Sequence, residues 1–121
     1  MPIDHQDVAA WASRIRSHFP AHQQDTAEAA AFWIATSIGP KVRDLRPGTS
    51  MGTVLEWLKS ARHGFKDPDW VELLMAIEAE VSSDVTDEFA ESLELRTFEK
   101  YVSHLVAKKR PNTSFERTRG R

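Results

Sequence analysis

The amino-acid sequence predicts an all-α fold, a compact antiparallel bundle of about five to six helices. Apolar residues recur at three- and four-residue intervals along most of the chain, the period of a helix with one buried face. Helix start and stop residues fall between those segments. No stretch of four or more residues alternates apolar and polar with β-branched enrichment, so strands have no strong candidate. Short connections make consecutive helices antiparallel neighbours. A HEAT-like two-layer array of helix pairs is the alternative. The sequence shows no repeat period, which favours the bundle.

Asp4 is the expected N-cap of the first helix, with Asp7 in its first turn. Val8, Trp11, Ala12, Ile15 and Phe19 then form one apolar stripe. Phe19-Pro20 closes it, because a residue before proline is pushed out of the α region. The second helix is expected to begin at Asp25, which has capping-box spacing to Glu28. Ala27, Ala30, Ala31, Ile34 and Ile38 form its inner face, and the alanines let a neighbouring helix approach closely. Phe32 and Trp33 widen the apolar surface, so this helix is predicted to be central and buried on more than one side. Gly39-Pro40 stops it.

Residues 40–48 read as a short helical turn carrying Val42 and Leu45 inward, then a turn at Pro47-Gly48. Thr49 or Ser50 caps a third helix with Met51, Val54, Leu55, Leu58 and Ala61 inward and Gly64 at its end. Asp67-Pro68-Asp69 combines an N-cap, proline at the first helical position and an acid in the first turn. The fourth helix carries Trp70, Leu73, Leu74, Ile77 and Val81. Ser82 or Ser83 is the expected cap of a fifth, with Val85, Phe89 and Leu93 inward. The sixth uses Leu95, Phe98, Tyr101 or Val102, Leu105 and Val106. Lys108, Lys109 and Arg110 suit the negative end of its dipole.

A chain of 121 residues fits one domain. At this length folding buries roughly two-thirds of the unfolded surface, enough for one core without staples. With 40% hydrophobic and 28% charged residues the composition is globular, not disordered. There is no cysteine, which excludes disulfides, thiolate catalysis and cysteine-based zinc sites and fits a reducing cytosol. The N-terminal MPIDHQDVAAW lacks the basic region of a signal peptide. The longest apolar run, AEAAAFWIATSIG, holds about ten apolar residues against the roughly 20 a membrane helix needs. A cytoplasmic protein without a membrane partner is the expectation.

Net charge is −2 but unevenly spread. Residues 108–121 hold six bases and one acid, a net of +5, which leaves −7 on the rest of the chain. Residues 72–99 hold nine acids, with Arg96 as the only base. An acidic body does not suit duplex nucleic acid, whose binders need a basic face. From Arg110 the composition shifts to proline, small polar residues and arginine with no apolar repeat. The division is therefore a helical domain over 1–109 and a basic, disordered tail over 110–121.

Candidate chemistry is sparse. His18 and His22 are four apart, a spacing that puts two ligands on one helix face, but Pro20 lies between them. His5 beside Asp4 and Asp7, and His63 near a helix end, read as solvated histidines. Asp84, Asp87, Glu88, Glu91 and Glu94 are carboxylates at helical spacing. Helical metal sites pair such groups with an inward ExxH motif, and Glu88-Phe89-Ala90-Glu91 lacks the histidine. They read instead as a solvated face, or as a docking surface for a basic protein partner. Four tryptophans, Trp11, Trp33, Trp57 and Trp70, are many for this length. Trp11 and Trp70 fall on apolar stripes. Trp33 and Trp57 sit beside theirs and are candidates to line a pocket or anchor an interface. Lys41, Arg43 and Arg46 surround Asp44 in a basic surface turn. There is no GxGxxG, P-loop or GxSxG motif, and no metal or other cofactor is expected.

The tail sequence Arg110-Pro111-Asn112-Thr113-Ser114, followed by Arg117-Thr118-Arg119-Gly120, resembles the C-terminal ends of proteins encoded by mobile integron gene cassettes, in which the reading frame runs into the recombination site. The resemblance is confined to residues 110–121. It implies a bacterial, cytoplasmic protein whose tail is shaped by DNA-sequence constraint. It implies no fold, catalytic residue or ligand for residues 1–109.

These readings converge on a non-enzymatic protein–protein interaction module of the immunity or antitoxin kind, using the acidic face around Asp84–Glu94. The alternative is a small-molecule binder or enzyme with a pocket at Trp33 and Trp57. A homodimer is compatible with both, since extra tryptophans can be buried between subunits.

Overall fold

The computed structural model describes residues 5–61 and 67–110, with residues 5, 67 and 68 as backbone only. The expected cap Asp4, His63, the stop at Gly64, the capping side chains of Asp67 and Pro68, and the tail beyond Arg110 lie outside the described residues, as does the His5 side chain.

Helix α1 spans His5–Ser13 and runs on into a tighter 3-10 helix, Arg14–His18. Phe19 is extended (φ −129°, ψ 151°), as a residue before proline should be. The long helix α2, Ala21–Ile38, follows. It begins a full turn before Asp25. Pro20 stands at the N-cap with extended geometry, Gln23 N donates to Pro20 O at 2.9 Å, and the Gln24 side-chain amide donates to Phe19 O. Proline's fixed φ therefore starts the helix. Asp25 and Glu28 sit inside it and bind Arg16 instead of capping.

The inner face of α2 is as its alanines predict. Ala27, Ala30, Ala31, Ile34 and Ala35 are buried, and α1, both neighbouring 3-10 helices and the later helices pack around them. Gly39 ends the helix at φ 66°, ψ −142° and donates to Ala35 O. A second 3-10 helix, Gly39–Asp44, turns Val42 inward, and Leu45 follows it into the core. The Pro47-Gly48 turn is tied by Thr49 N to Arg46 O and Arg46 N to Thr49 Oγ1, both at 3.0 Å.

Helix α3, Met51–Ala61, is capped by Ser50, whose hydroxyl accepts from Thr53 N at 3.0 Å. Helix α4, Asp67–Val81, packs along α2. It ends with Ser82 at positive φ (56°) and Ser83 N bonded to Glu78 O, the αL stop usually filled by glycine. Neither serine caps the next helix. Ser83 is buried and donates to Leu105 O at 2.8 Å, whereas Thr86 accepts from Phe89 N at the head of α5, Asp87–Glu91. A 3-10 helix, Leu93–Leu95, leads to α6, Phe98–Ala107, capped by Thr97. Leu95, expected inward, is 89% exposed, because this break separates it from the α6 register.

Two backbone clasps hold α6. Phe98 N and Glu99 N donate to Thr49 O and Pro47 O, and Met51 N donates to Arg96 O. At the other end Asp84 N donates to Lys108 O and Arg110 N to Ser82 O. These isolated bridges are the extent of strand pairing among the described residues. The architecture is all-α, with six α-helices among the described residues, of which α1, α3, α4 and α6 pack against α2. No helix among them is long and apolar enough to cross a membrane.

Candidate functional site

The five acids singled out in the sequence, Asp84, Asp87, Glu88, Glu91 and Glu94, are all exposed. Asp84 pairs with Arg110 at 2.7 Å. Arg96 lies among them with its guanidinium 4.6 Å from the Phe89 ring, so the face is acidic but not uniformly so. Of the two candidate tryptophans, Trp57 is half-buried beneath Lys41 Nζ, 5.1 Å from its ring centroid, and lines no cleft described below. His18 and His22 fall in different helices and both are exposed. No group of three His, Asp or Glu side chains is arranged to hold a metal among the described residues.

Trp33 lies elsewhere, in a groove between α2 and α4. The groove has three joined sections of about 290, 310 and 390 Å³. Trp33 borders two of them; Asp25, Ala29 and Glu80 border another pair. Its section at Ala29, Phe32 and Trp33 of α2 is mainly apolar, while the other two mix Leu73, Ala76 and Val81 of α4 with the hydroxyls of Thr26, Thr36, Ser37 and Ser82. Trp33 stands one position off the inner stripe of α2. Packing therefore covers part of its ring and leaves the rest as groove surface. From Asp69 to Val81 the α4 side is about 18 Å long at the helical rise of 1.5 Å per residue.

The rims carry charge of one sign. Asp25 and Glu28 stand on α2, and Asp69, Glu72 and Glu80 on α4, against Lys109 as the single base among the described lining residues. Arg16 Nη1 reaches Asp25 at 2.8 Å and also bonds Glu28. Those two carboxylates hold the guanidinium pKa above its usual value, Glu28 having the larger effect. The α2 rim is thus partly neutralised. Glu72 and Glu80 on the α4 rim have no ion pair among the described residues. Such a groove can bury apolar side chains along its floor while its carboxylates receive cations.

The α5–α6 junction next to the predicted acidic face has its own chemistry. His104 Nε2 accepts from Thr86 N at 3.2 Å, and its ring stacks on Phe89 at 3.9 Å. Burial lowers the His104 pKa, with Lys108 and Arg96 adding to the effect. The folded state therefore favours neutral imidazole. The unfolded chain binds the extra proton first, near the ordinary value of about 6.5, so this contribution is full above that pH and is lost as pH falls through it. Below the lowered folded value the loss levels off. We expect the urea midpoint of the native chain to fall further between pH 7.5 and 5 than that of His104→Gln. Parallel midpoint curves would show that the α5–α6 junction does not depend on the histidine's charge.

The fold and site define a class: a small all-α domain with an acid-rimmed groove between the two longest helices among the described residues. Comparison with known proteins returns no matching family model, no matching curated protein and no matching solved structure.

Proposed function

We propose that this protein is a non-enzymatic interaction module whose α2–α4 groove takes a basic, amphipathic helical segment of a partner protein. The observation that carries the reading is the pairing of an apolar floor at Ala29, Phe32 and Trp33 with carboxylates at Glu72 and Glu80 that have no ion pair among the described residues. Charge complementarity selects a basic partner and speeds its encounter. A helix laid in a groove presents apolar anchors at i, i+3, i+4 and i+7, and about 18 Å accommodates roughly three such turns. Trp33 is the natural anchor, since half-buried aromatic residues dominate interface energetics. Of the candidate residues read in the sequence, the groove contains Trp33 alone; its acids, Asp25, Glu28, Asp69, Glu72 and Glu80, are not those of the Asp84–Glu94 face.

A defined probe tests this: a synthetic helical peptide with leucines on one face and lysines on the other, titrated by fluorescence anisotropy. Glu72→Lys with Glu80→Lys should weaken binding about tenfold or more, and Trp33→Ala by a similar factor, as loss of one anchor or of charge pairing costs on the order of 1–2 kcal/mol. Reversing Asp87, Glu88 and Glu91 to lysine should leave affinity within about twofold, since rim charges remote from the contact contribute little. A second reading, docking at Asp84–Glu94, has one observation in its favour: Leu95, 89% exposed beside Glu94, is an apolar anchor within the acidic face. If that reading holds, the two sets of reversals exchange their effects.

A further inference from the structure

A second cleft lies where the 3-10 helix Arg14–His18 faces the 3-10 helix Gly39–Asp44 and the residues just after it. It has a volume of about 410 Å³, within the range of about 300–1,000 Å³ typical of small-molecule sites. Its described lining includes Arg14, Arg16, Arg43, Arg46 and His18, and no carboxylate. On a chain of net charge −2 this is a local reversal of sign. Trp11, half-buried, forms part of the wall.

The four arginines are not equivalent. Arg16 is committed to Asp25 and Glu28. Arg46 donates to the carbonyls of Arg43 and Leu45, at 2.7 and 3.0 Å, and Arg43 Nε to Pro40 O at 3.2 Å. Those carbonyls fix the guanidinium groups without neutralising them. A guanidinium has five N–H donors, so most remain to serve a ligand. Asp44, the nearby acid, is held by Lys41 at 3.0 Å, and that bond chiefly keeps its carboxyl below the usual range. Arg14 has no ion pair among the described residues. Arg43 and Arg46 also act on Asp44 through space, so the cleft presents partly immobilised and only partly compensated guanidinium groups beside an indole. Guanidinium forks match phosphate oxygens in bidentate geometry, and an indole face stacks on a flat ring.

We propose that this cleft is a binding site for a small phosphate monoester carried on a planar ring, with Arg14, Arg43 and Arg46 holding the phosphate and Trp11 stacking on the ring. The site is separate from the α2–α4 groove and does not rest on the function proposed for it. Calorimetric titration of the full chain with adenosine 5′-monophosphate, ribose 5-phosphate, inorganic phosphate and adenosine tests the proposal. The monophosphate should bind most tightly, ribose 5-phosphate and inorganic phosphate more weakly, and adenosine without measurable heat. Arg14→Ala with Arg43→Ala should reduce affinity for the monophosphate about tenfold or more, since charge-assisted bonds are among the stronger ones, with an unchanged circular dichroism spectrum. No heat from any phosphate compound, adenosine binding as tightly as its monophosphate, or affinity indifferent to the double substitution would overturn the site. Equal affinity for the monophosphate and inorganic phosphate would overturn the role given to Trp11. That comparison uses the native chain, so it holds even if a Trp11 variant does not fold.

Discussion

Phe98→Ala should lower stability by about 3–5 kcal/mol, the usual cost of removing a fully buried phenylalanine. Phe98 has no exposed surface. Its ring meets Phe19 edge-on, 5.8 Å between centroids and 87° between planes, and such pairs add to area burial. It is also the first residue of α6, and its amide donates to Thr49 O at 2.7 Å. The residue therefore ties three segments together, its ring on Phe19 and its amide on Thr49 just before α3. Urea unfolding should show a lower midpoint with an unchanged slope. Leu95→Ala, three residues away on an 89% exposed side chain, should stay within about 0.5 kcal/mol of native. Similar losses for the two would contradict the register assigned to α6.

Gly39→Ala should cost about 1–3 kcal/mol, the penalty for a side chain in a backbone region open essentially to glycine. Gly39 holds φ 66°, ψ −142° while its amide closes α2 on Ala35 O, so relaxing the angles would break that bond. The effect reaches beyond stability. Gly39 sets the direction of the 3-10 helix that brings Val42 and Leu45 into the core and Arg43 and Arg46 to the basic cleft. Gly48→Ala is the matched control. Nothing lies within 4 Å of a Cβ built there, so its effect should be small, or a gain of up to about 1 kcal/mol through the unfolded state. Thermal unfolding of the two variants side by side measures the contrast.

Much of the fold was legible in the sequence because the governing signals are local. The alanine face of α2, the inward Val42 and Leu45, the Ser50 cap and the Gly39 stop each follow from residues within one or two turns. The misses came where two local signals competed. Asp25 and Glu28 have capping-box spacing, but Pro20 starts the helix earlier and Arg16, nine residues from Asp25, claims both carboxylates. Ser83 has the chemistry of a cap, yet it is buried and serves a carbonyl on α6. The clefts were less legible because each joins distant segments. Trp33 stood out as an aromatic beside its stripe, but the opposite rim of its groove, with Asp69, Glu72 and Glu80, lies on α4. Lys41, Arg43 and Arg46 were visible as a basic turn. Nothing local announced that Arg14 and Arg16 would face Arg43 and Arg46 across a cleft beside Trp11.

The proposed meeting of the α2–α4 groove with a basic partner segment can be located residue by residue. Its most direct test is amide and indole chemical-shift mapping of the full chain titrated with the lysine–leucine peptide. Shifts should concentrate on the Trp33 indole and on α2 and α4 around Ala29, Glu72 and Glu80, with α5 and the Trp57 indole unmoved. Shifts confined to Asp84–Leu95, or spread evenly over every acidic residue, would contradict it.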